Sequence, residues 1–390
     1  MTRKREFLAT CPPSNMRTAD VAIIGGGVIG CSIAYHLAQS GVTNGVVFER
    51  KHVAAGATGV CPGGIRQQFE GEAECKLARR SMHFFEQVNE ILEPESPFFL
   101  ERSGYLFLAQ SDAVLSGFRR NVALQNRLGI PSRVVTPSEI VEIVPALACD
   151  GILGGSFCGE DGFLEDCDGL THNLLRRARD KGFTLALSEV IRLAQDGRAW
   201  RVDTPIGSWL VERVVLAAGT ESPSLASFAG VRLPITVERR RLAYTEPRGE
   251  SLMLPLVVAL ERSFAGKQLR NGVFYIGWLD ETPESDDLSF IEQALTAGAT
   301  LLPLMEEMPV RRVITGYYDS TPDHRPILGA IGGLDGLYLA TGFSGHGFML
   351  APVVGEIMAQ LIAGPKIDPL LRDFSLGRFA ARPVVEGLHI

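Results

Sequence analysis

A chain of 390 residues is too long for one small core and suits two domains. Its composition, 46% hydrophobic and 21% charged, supports large buried cores and excludes a disordered protein. The net charge of −7 leaves no basic footprint for nucleic acid or an anionic membrane.

The chain opens with a basic extension, residues 1–18, whose Arg3, Lys4 and Arg5 read as a solvated tail rather than an address. The apolar run Val21–Ala38 is broken by glycines, carries His36 and has no cleavage site after it, so it is neither a membrane span nor a signal sequence. It divides instead into a strand (Val21–Ile24), a turn with Gly25, Gly27 and Gly30, and a helix (Val28–Ser40). A second strand (Val46–Phe48) ends on Glu49. In such a unit Gly25 makes the tight turn, Gly27 lets the backbone approach a pyrophosphate and Gly30 allows close helix-to-strand packing. The helix N-terminus favours the diphosphate, and an acid at the end of the second strand takes a ribose 2′-hydroxyl. A Rossmann-like dinucleotide site follows, for FAD or NAD rather than NADP.

Further along, Glu72–Leu92 reads as one amphipathic helix, and Glu101–Ala109 begins strand structure in the second domain. Gly169–Lys181 is helical; Thr184–Leu193, Trp200–Val202 and Trp209–Ala217 are strands. The segment Val214–Gly219 reads as a buried parallel strand that ends in Ala217, Ala218 and Gly219 beside a ligand. Ala243–Trp278 is rich in strands, with a hairpin turn at Arg270–Gly272, and suits the wall of a substrate pocket. Leu288–Leu302 is a helix, and Arg311–Tyr318 is a strand leading back to the cofactor. A strand (Leu337–Thr341), a glycine-rich turn (Gly342–Gly347) and a helix (Phe348–Ile362) close the pattern, aiming a second helix N-terminus at the ligand.

These elements predict an α/β fold with interleaved domains: 19–82, 150–224 and 315–390 bind the dinucleotide, whereas 83–149 and 225–314 form an α+β substrate domain on a mostly antiparallel sheet. The seven cysteines, Cys11, Cys31, Cys61, Cys75, Cys149, Cys158 and Cys167, show no metal spacing and fit a reducing cytoplasm. There is no second G-x-G-x-x-G and no C-x4-C pair, which argues against a pyridine-nucleotide disulfide oxidoreductase.

Four segments carry a resemblance beyond the dinucleotide unit: Gly56–Phe69 (GATGVCPGGIRQQF), Val214–Gly219 (VVLAAG), Thr321–Gly329 (TPDHRPILG) and Gly342–Glu356 (GFSGHGFMLAPVVGE). With them the chain resembles the D-amino-acid oxidase superfamily, most of all its sarcosine oxidase β-subunit and dye-linked L-proline dehydrogenase β-subunit branch, with glycine oxidase nearby. The resemblance implies extended, non-covalent FAD. Gly25, Gly27, Val28, Ile29, Gly30, Glu49 and Arg50 would then surround the adenosine diphosphate. Thr58, Gly63 and Gly64 would approach the flavin and pyrophosphate, Val190 the adenine, and Ala218 and Gly219 the diphosphate. Gly342, Gly345, His346, Gly347, Phe348 and Met349 would meet the pyrimidine edge.

The resemblance also implies oxidation of a small amino acid or secondary amine of the sarcosine, glycine or proline type to an imine, by hydride transfer to flavin N5 and then hydrolysis. Arg66 is the candidate anchor for the substrate carboxylate; Tyr318, His346 and Met349 complete the candidate catalytic set. Several positions depart from family patterns. Gly316 stands where monomeric sarcosine oxidases attach FAD through cysteine, and Cys167 where the β-subunit carries FMN on histidine. Tyr318 replaces a carboxylate-binding arginine. Met349 replaces a lysine that promotes reaction with oxygen, which favours a partner subunit, quinone or dye as electron acceptor. Asp323 and Arg325 read as a loop ion pair. The alternative reading is a flavin-bearing assembly subunit without catalysis.

Overall fold

The computed structural model describes residues 16–282 and 285–381. The expectations for residues 1–15, Cys11 and residues 382–390 lie outside the described residues. The fold is mixed α/β, built on two large sheets and a short ribbon.

The first sheet has Leu337–Thr341, Gly207–Leu216, Met16–Ile24, Gly45–Glu49 and Thr184–Leu187 side by side and parallel. Register places Ile24 beside both Phe48 and Leu216, so strand ends converge on the glycine turn. Side chains alternate across it as the pleat requires. Val21, Ile23, Val47 and Val215 face a core shared with the helices Val28–Gln39, Cys167–Arg179 and Gly347–Ala363. Ala22, Ile24, Phe48, Val214 and Leu216 face a second core with Trp200, Trp209 and Leu225. Both faces are covered, which explains the unbroken apolar runs of these strands.

The second sheet runs Val310–Ser320, Thr236–Thr245, Phe274–Trp278, Phe264–Gln268, Leu256–Ala259, Tyr105–Ala109, Gly154–Cys158, Arg133–Val135. It is antiparallel except where Leu256–Ala259 lies parallel to Tyr105–Ala109. The turn at Arg270–Gly272 is present: Leu269 N–H donates to Val273 O at 2.8 Å and Gly272 has φ +83°. A two-stranded ribbon, Gly64–Ile65 with Gly162–Phe163, forms the third sheet.

Four sequence expectations are corrected. Met16–Thr18 are not a loose tail but pair with Ser208–Leu210, because backbone pairing extends the first strand beyond its apolar stretch. The span Glu72–Leu92 is two helices, Glu72–Glu86 and Val88–Leu92, separated at Gln87 (φ −111°). Thr184–Leu193 stops pairing at Leu187 and resumes at Arg192 in another hairpin, since Ile191 N–H turns to Asp203 O. Glu101 makes only an isolated bridge with Phe163, and the strand starts at Tyr105 after Gly104 (φ +84°). Among the described residues no helix is long and apolar enough to cross a membrane.

Candidate active site

The glycine turn is a cradle that side chains would fill. Gly25 has φ +119°, and a Cβ there would overlap the carbonyl oxygen of Ala217 on the neighbouring strand. A Cβ on Gly30 would overlap the carbonyl of Gly25, so helix and strand touch at backbone distance. Gly27 begins the helix Val28–Gln39 with no side-chain cap, which leaves the dipole end suited to an anion. Thr58, from the next loop, accepts the Val28 N–H at 3.1 Å. Glu49 is pinned at its strand end, accepting Gly26 N–H at 3.0 Å and Lys51 N–H at 2.9 Å. Ile29 is buried beside the turn. Arg50 points outward to an exposed ion pair with Glu221 at 3.2 Å.

A second helix arrives at the same place. Ser32 Oγ donates to Ala351 O at 2.8 Å, and Gly355 lies so close to Ser32 that a Cβ would overlap the hydroxyl. Thus the helices that start after Gly27 and after His346 are locked together. The second has no side-chain cap at His346 either. Its turn is organised by Asp319, which the sequence reading missed. The Asp319 carboxylate accepts Gly342 N–H at 2.6 Å and the Thr341 hydroxyl at 3.2 Å, and burial pushes its acidity down. Its position just after Tyr318, at the end of a strand pointing to the cofactor, is the only sequence signal it carried. Tyr318 is half-buried with its ring against Gly345, where a Cβ would lie 2.5 Å from the ring; Gly345 has φ +89°. The Phe348 and Met349 side chains are buried in the main core, so backbone is what they offer the turn.

Arg66 meets this turn directly. It is 6% exposed, yet its guanidinium is satisfied: Nη1 donates to Gln68 O at 2.5 Å and Nη2 lies 2.9 Å from His346 Nε2. Arginine keeps its protons, so Nε2 is the acceptor and the His346 proton sits on Nδ1. Phe69 flanks the pair, with the guanidinium 4.2 Å above its ring and His346 edge-on at 5.3 Å. A cavity of about 690 Å³ opens here, lined by Arg66, His346, Phe69, Phe107 and Ser156. Below Arg66 lies Asp161, fully buried, also missed from sequence, with its pKa pushed up to about 6 by burial. An acid set before the apolar Phe163-Leu164 was its signal.

The remaining expected residues are scattered around this centre. Gly63 (φ +100°) precedes the short strand Gly64–Ile65 that leads into Arg66, and the Tyr105 hydroxyl occupies the space a Gly64 side chain would need. The strand expected to run to Gly219 stops at Leu216; Ala218 and Gly219 (φ +53°) follow it into a short 3-10 turn, and Thr341 Oγ1 donates to Gly219 O at 3.3 Å. Val190 is buried in the second core with Leu193 and Trp200. Gly316 faces Val60, 2.9 Å from where its Cβ would stand. Cys167 is buried, its thiol donating to Cys61 O at 3.5 Å. The loop ion pair is corrected: the Asp323 side chain pairs with Arg378 at 2.7 Å, and Arg325 pairs with Glu74, because both partners come from helices packed over the loop.

Glycine backbone at a parallel-strand end, two helix N-termini locked side by side and a pinned strand-end carboxylate form a donor set that fits a flavin dinucleotide. Comparison with known proteins agrees. The chain is 26% identical over 384 residues to mouse mitochondrial sarcosine dehydrogenase, covering 93% of this chain but 41% of that protein. It is 25% identical to the Rhodobacter capsulatus sarcosine oxidase subunit beta, covering 95% and 91% of the two chains. It superposes on the crystal structure of L-proline dehydrogenase from P. horikoshii with a TM-score of 0.87 at 29% identity, over 94% and 98%. The pattern of the DAO family matches residues 20–361, and the chain belongs to this family of FAD-dependent oxidoreductases.

Proposed function

We propose that the chain oxidises a small amino acid or secondary amine, of the sarcosine, glycine or proline type, to an imine that water then hydrolyses. The observation that carries this is Arg66, a buried guanidinium at the wall of a cavity, directly bonded to the turn that starts the second helix. When bound, FAD would supply a two-electron acceptor for oxidation of the substrate C–N bond. Gly25, Gly27, Gly30 and Glu49 would hold the adenosine diphosphate without a covalent link, and the backbone of Gly345–Met349 would hold the flavin end. Arg66 takes the substrate carboxylate in bidentate fashion, which orients the α-carbon. His346, with Nε2 committed to Arg66, holds the anchor rather than moving a proton. The half-buried Tyr318 ring closes the turn side.

A deprotonated amine can give up hydride without a strong side-chain base, so the protein contributes binding, orientation and exclusion of water. Met349 brings no cation to the turn, which supports a partner subunit, quinone or dye as acceptor in place of oxygen. The likeness to a protein named as a subunit supports the first of these. The test is an anaerobic visible spectrum of the flavin-loaded protein during addition of sarcosine, glycine, L-proline and D-proline. Bleaching by one of them supports the reading and names the substrate branch. A flavin band that none of them bleaches, in protein that co-purifies with other chains, favours an assembly subunit.

A further inference from the structure

A buried acid, Asp161, holds the two residues that follow Arg66. Asp161 is fully buried and immediately precedes the strand Gly162–Phe163, which pairs with Gly64–Ile65. One of its carboxylate oxygens accepts the backbone N–H of Gln67 at 2.8 Å, and the other accepts Gln68 Nε2 at 2.9 Å. The Gln68 amide is fully engaged: Nε2 also donates to Tyr105 O at 3.1 Å, and Oε1 accepts the Ser156 hydroxyl at 2.6 Å. Held this way, Gln68 presents its carbonyl to Arg66 Nη1 at 2.5 Å.

Ladder pairing of this segment ends at Ile65, and residues 66–69 are then shaped by a backbone bond from Phe69 N–H to Gln67 O at 3.0 Å together with side-chain bonds. Asp161 supplies the acceptor for two of the four. An ionised acceptor makes those bonds stronger than an amide would, and places a negative charge near the buried guanidinium.

We propose that Asp161 is a positioning residue for substrate carboxylate binding, acting through Gln67 and Gln68 to hold Arg66 in its binding orientation. This rests on the reading of Arg66 as the carboxylate anchor. Asparagine is the same shape as aspartate but carries one acceptor and one donor. With its oxygen toward Gln67 N–H, its amide nitrogen faces the Gln68 Nε2 donor. If Gln68 turns over to accept, its oxygen faces the carbonyl of Tyr105. Either arrangement loses a buried hydrogen bond and releases Gln68.

The test uses the FAD-loaded full chain and two dead-end ligands, pyrrole-2-carboxylate and pyrrole, titrated by perturbation of the flavin band. In Asp161→Asn the Kd for pyrrole-2-carboxylate is expected to rise about 10- to 100-fold, while pyrrole binding and FAD content stay unchanged. With whichever amino acid bleaches the wild type, KM rises by the same factor and kcat stays within about threefold. Gln68→Leu gives the same carboxylate-selective loss, and the double variant is no worse than the poorer single one, because both act on one path. If Asp161→Asn does not load FAD, Gln68→Leu carries the test alone. Selective binding that is lost in Arg66→Lys but retained in Gln68→Leu and in any folded Asp161→Asn overturns the inference and leaves the anchor reading standing. A wild type that binds both ligands equally overturns the two together.

Discussion

Arg66 and His346 are 280 residues apart in sequence, and their side chains meet at 2.9 Å. The contact joins the loop after the ribbon to the N-terminus of the second helix, so the candidate substrate anchor is tied to the turn Gly342–Gly347. The guanidinium also fixes the imidazole tautomer. Arg66→Lys keeps the charge but has no planar fork to hold Gln68 O, His346 and a carboxylate together. Loss of a charge-assisted hydrogen bond predicts substrate binding about 10- to 100-fold weaker, with FAD content unchanged. Steady-state kinetics beside the ratio of flavin to protein absorbance checks this. Equal affinity in the variant removes Arg66 from the site.

Gly25→Ala tests the cradle. The φ of +119° and the overlap with Ala217 O leave no room for a methyl group unless the parallel strand moves. The variant is expected to be purified without flavin, or with FAD bound about 5- to 150-fold more weakly, on the order of a 1–3 kcal/mol strain. Full flavin occupancy at wild-type affinity contradicts this assignment. A milder version concerns Gly355→Ala, where the added methyl meets Ser32. Overpacking of about 1–3 kcal/mol should lower the thermal midpoint of the flavin-loaded protein.

Asp319→Asn addresses the turn. Asp319 Oδ2 accepts both Gly342 N–H and the Thr341 hydroxyl, and its carbonyl accepts Ser344 N–H at 3.3 Å. An amide placed there keeps one acceptor and adds a donor among donors. Weaker FAD binding is the expected outcome, by about 1–3 kcal/mol for the disturbed buried bonds. Equilibrium dialysis of the apoprotein against FAD provides the number, and an unchanged Kd separates Asp319 from the cofactor site.

Stability should respond to acid through His36. Its ring packs against Tyr35 at 4.9 Å, and Nε2 is buried without a hydrogen-bond partner. Burial lowers its pKa to about 4 from the ordinary 6.5. The unfolded chain therefore binds this proton first as pH falls. The contribution of neutral His36 is complete above pH 6.5 and is lost as pH drops toward 4, by about 3 kcal/mol over the window. Asp161 works in the opposite sense: its raised pKa makes the folded state the better proton binder between about 4 and 6. The two offset each other there, so the comparison must be with His36→Gln, which is polar and of similar size but cannot charge. The stability gap between wild type and variant, from denaturant midpoints, should narrow from pH 7 to pH 4. A constant gap rules out the buried neutral imidazole as the cause.

The glycine turn, its strand, its helix and Glu49 were legible because they obey short-range rules: a positive φ needs glycine, and a two-faced parallel strand needs a continuous apolar run. The turn Gly342–Gly347 and the hairpin at Arg270–Gly272 were readable for the same reason. Element ends were not, since Met16–Thr18 and Leu187 are decided by partners far away in sequence. The site was legible at Arg66 only through a resemblance of its segment. Asp161 and Asp319 gave only the weak signal of their apolar or strand neighbours, because a buried acid looks like a surface acid until its donors are located.

By itself the sequence determined that a dinucleotide is bound, where the chain turns back on itself to bind it, and which segments bear apolar faces. Those properties depend on backbone freedom and hydrophobic period over a few residues. Only the tertiary structure decided which buried charges share a centre: that Arg66 reaches His346 and stands over Asp161, and that Arg325 pairs with Glu74 and leaves Asp323 to Arg378. A charge can be buried only where partners from distant segments satisfy it, and the packing of the whole chain sets those partners.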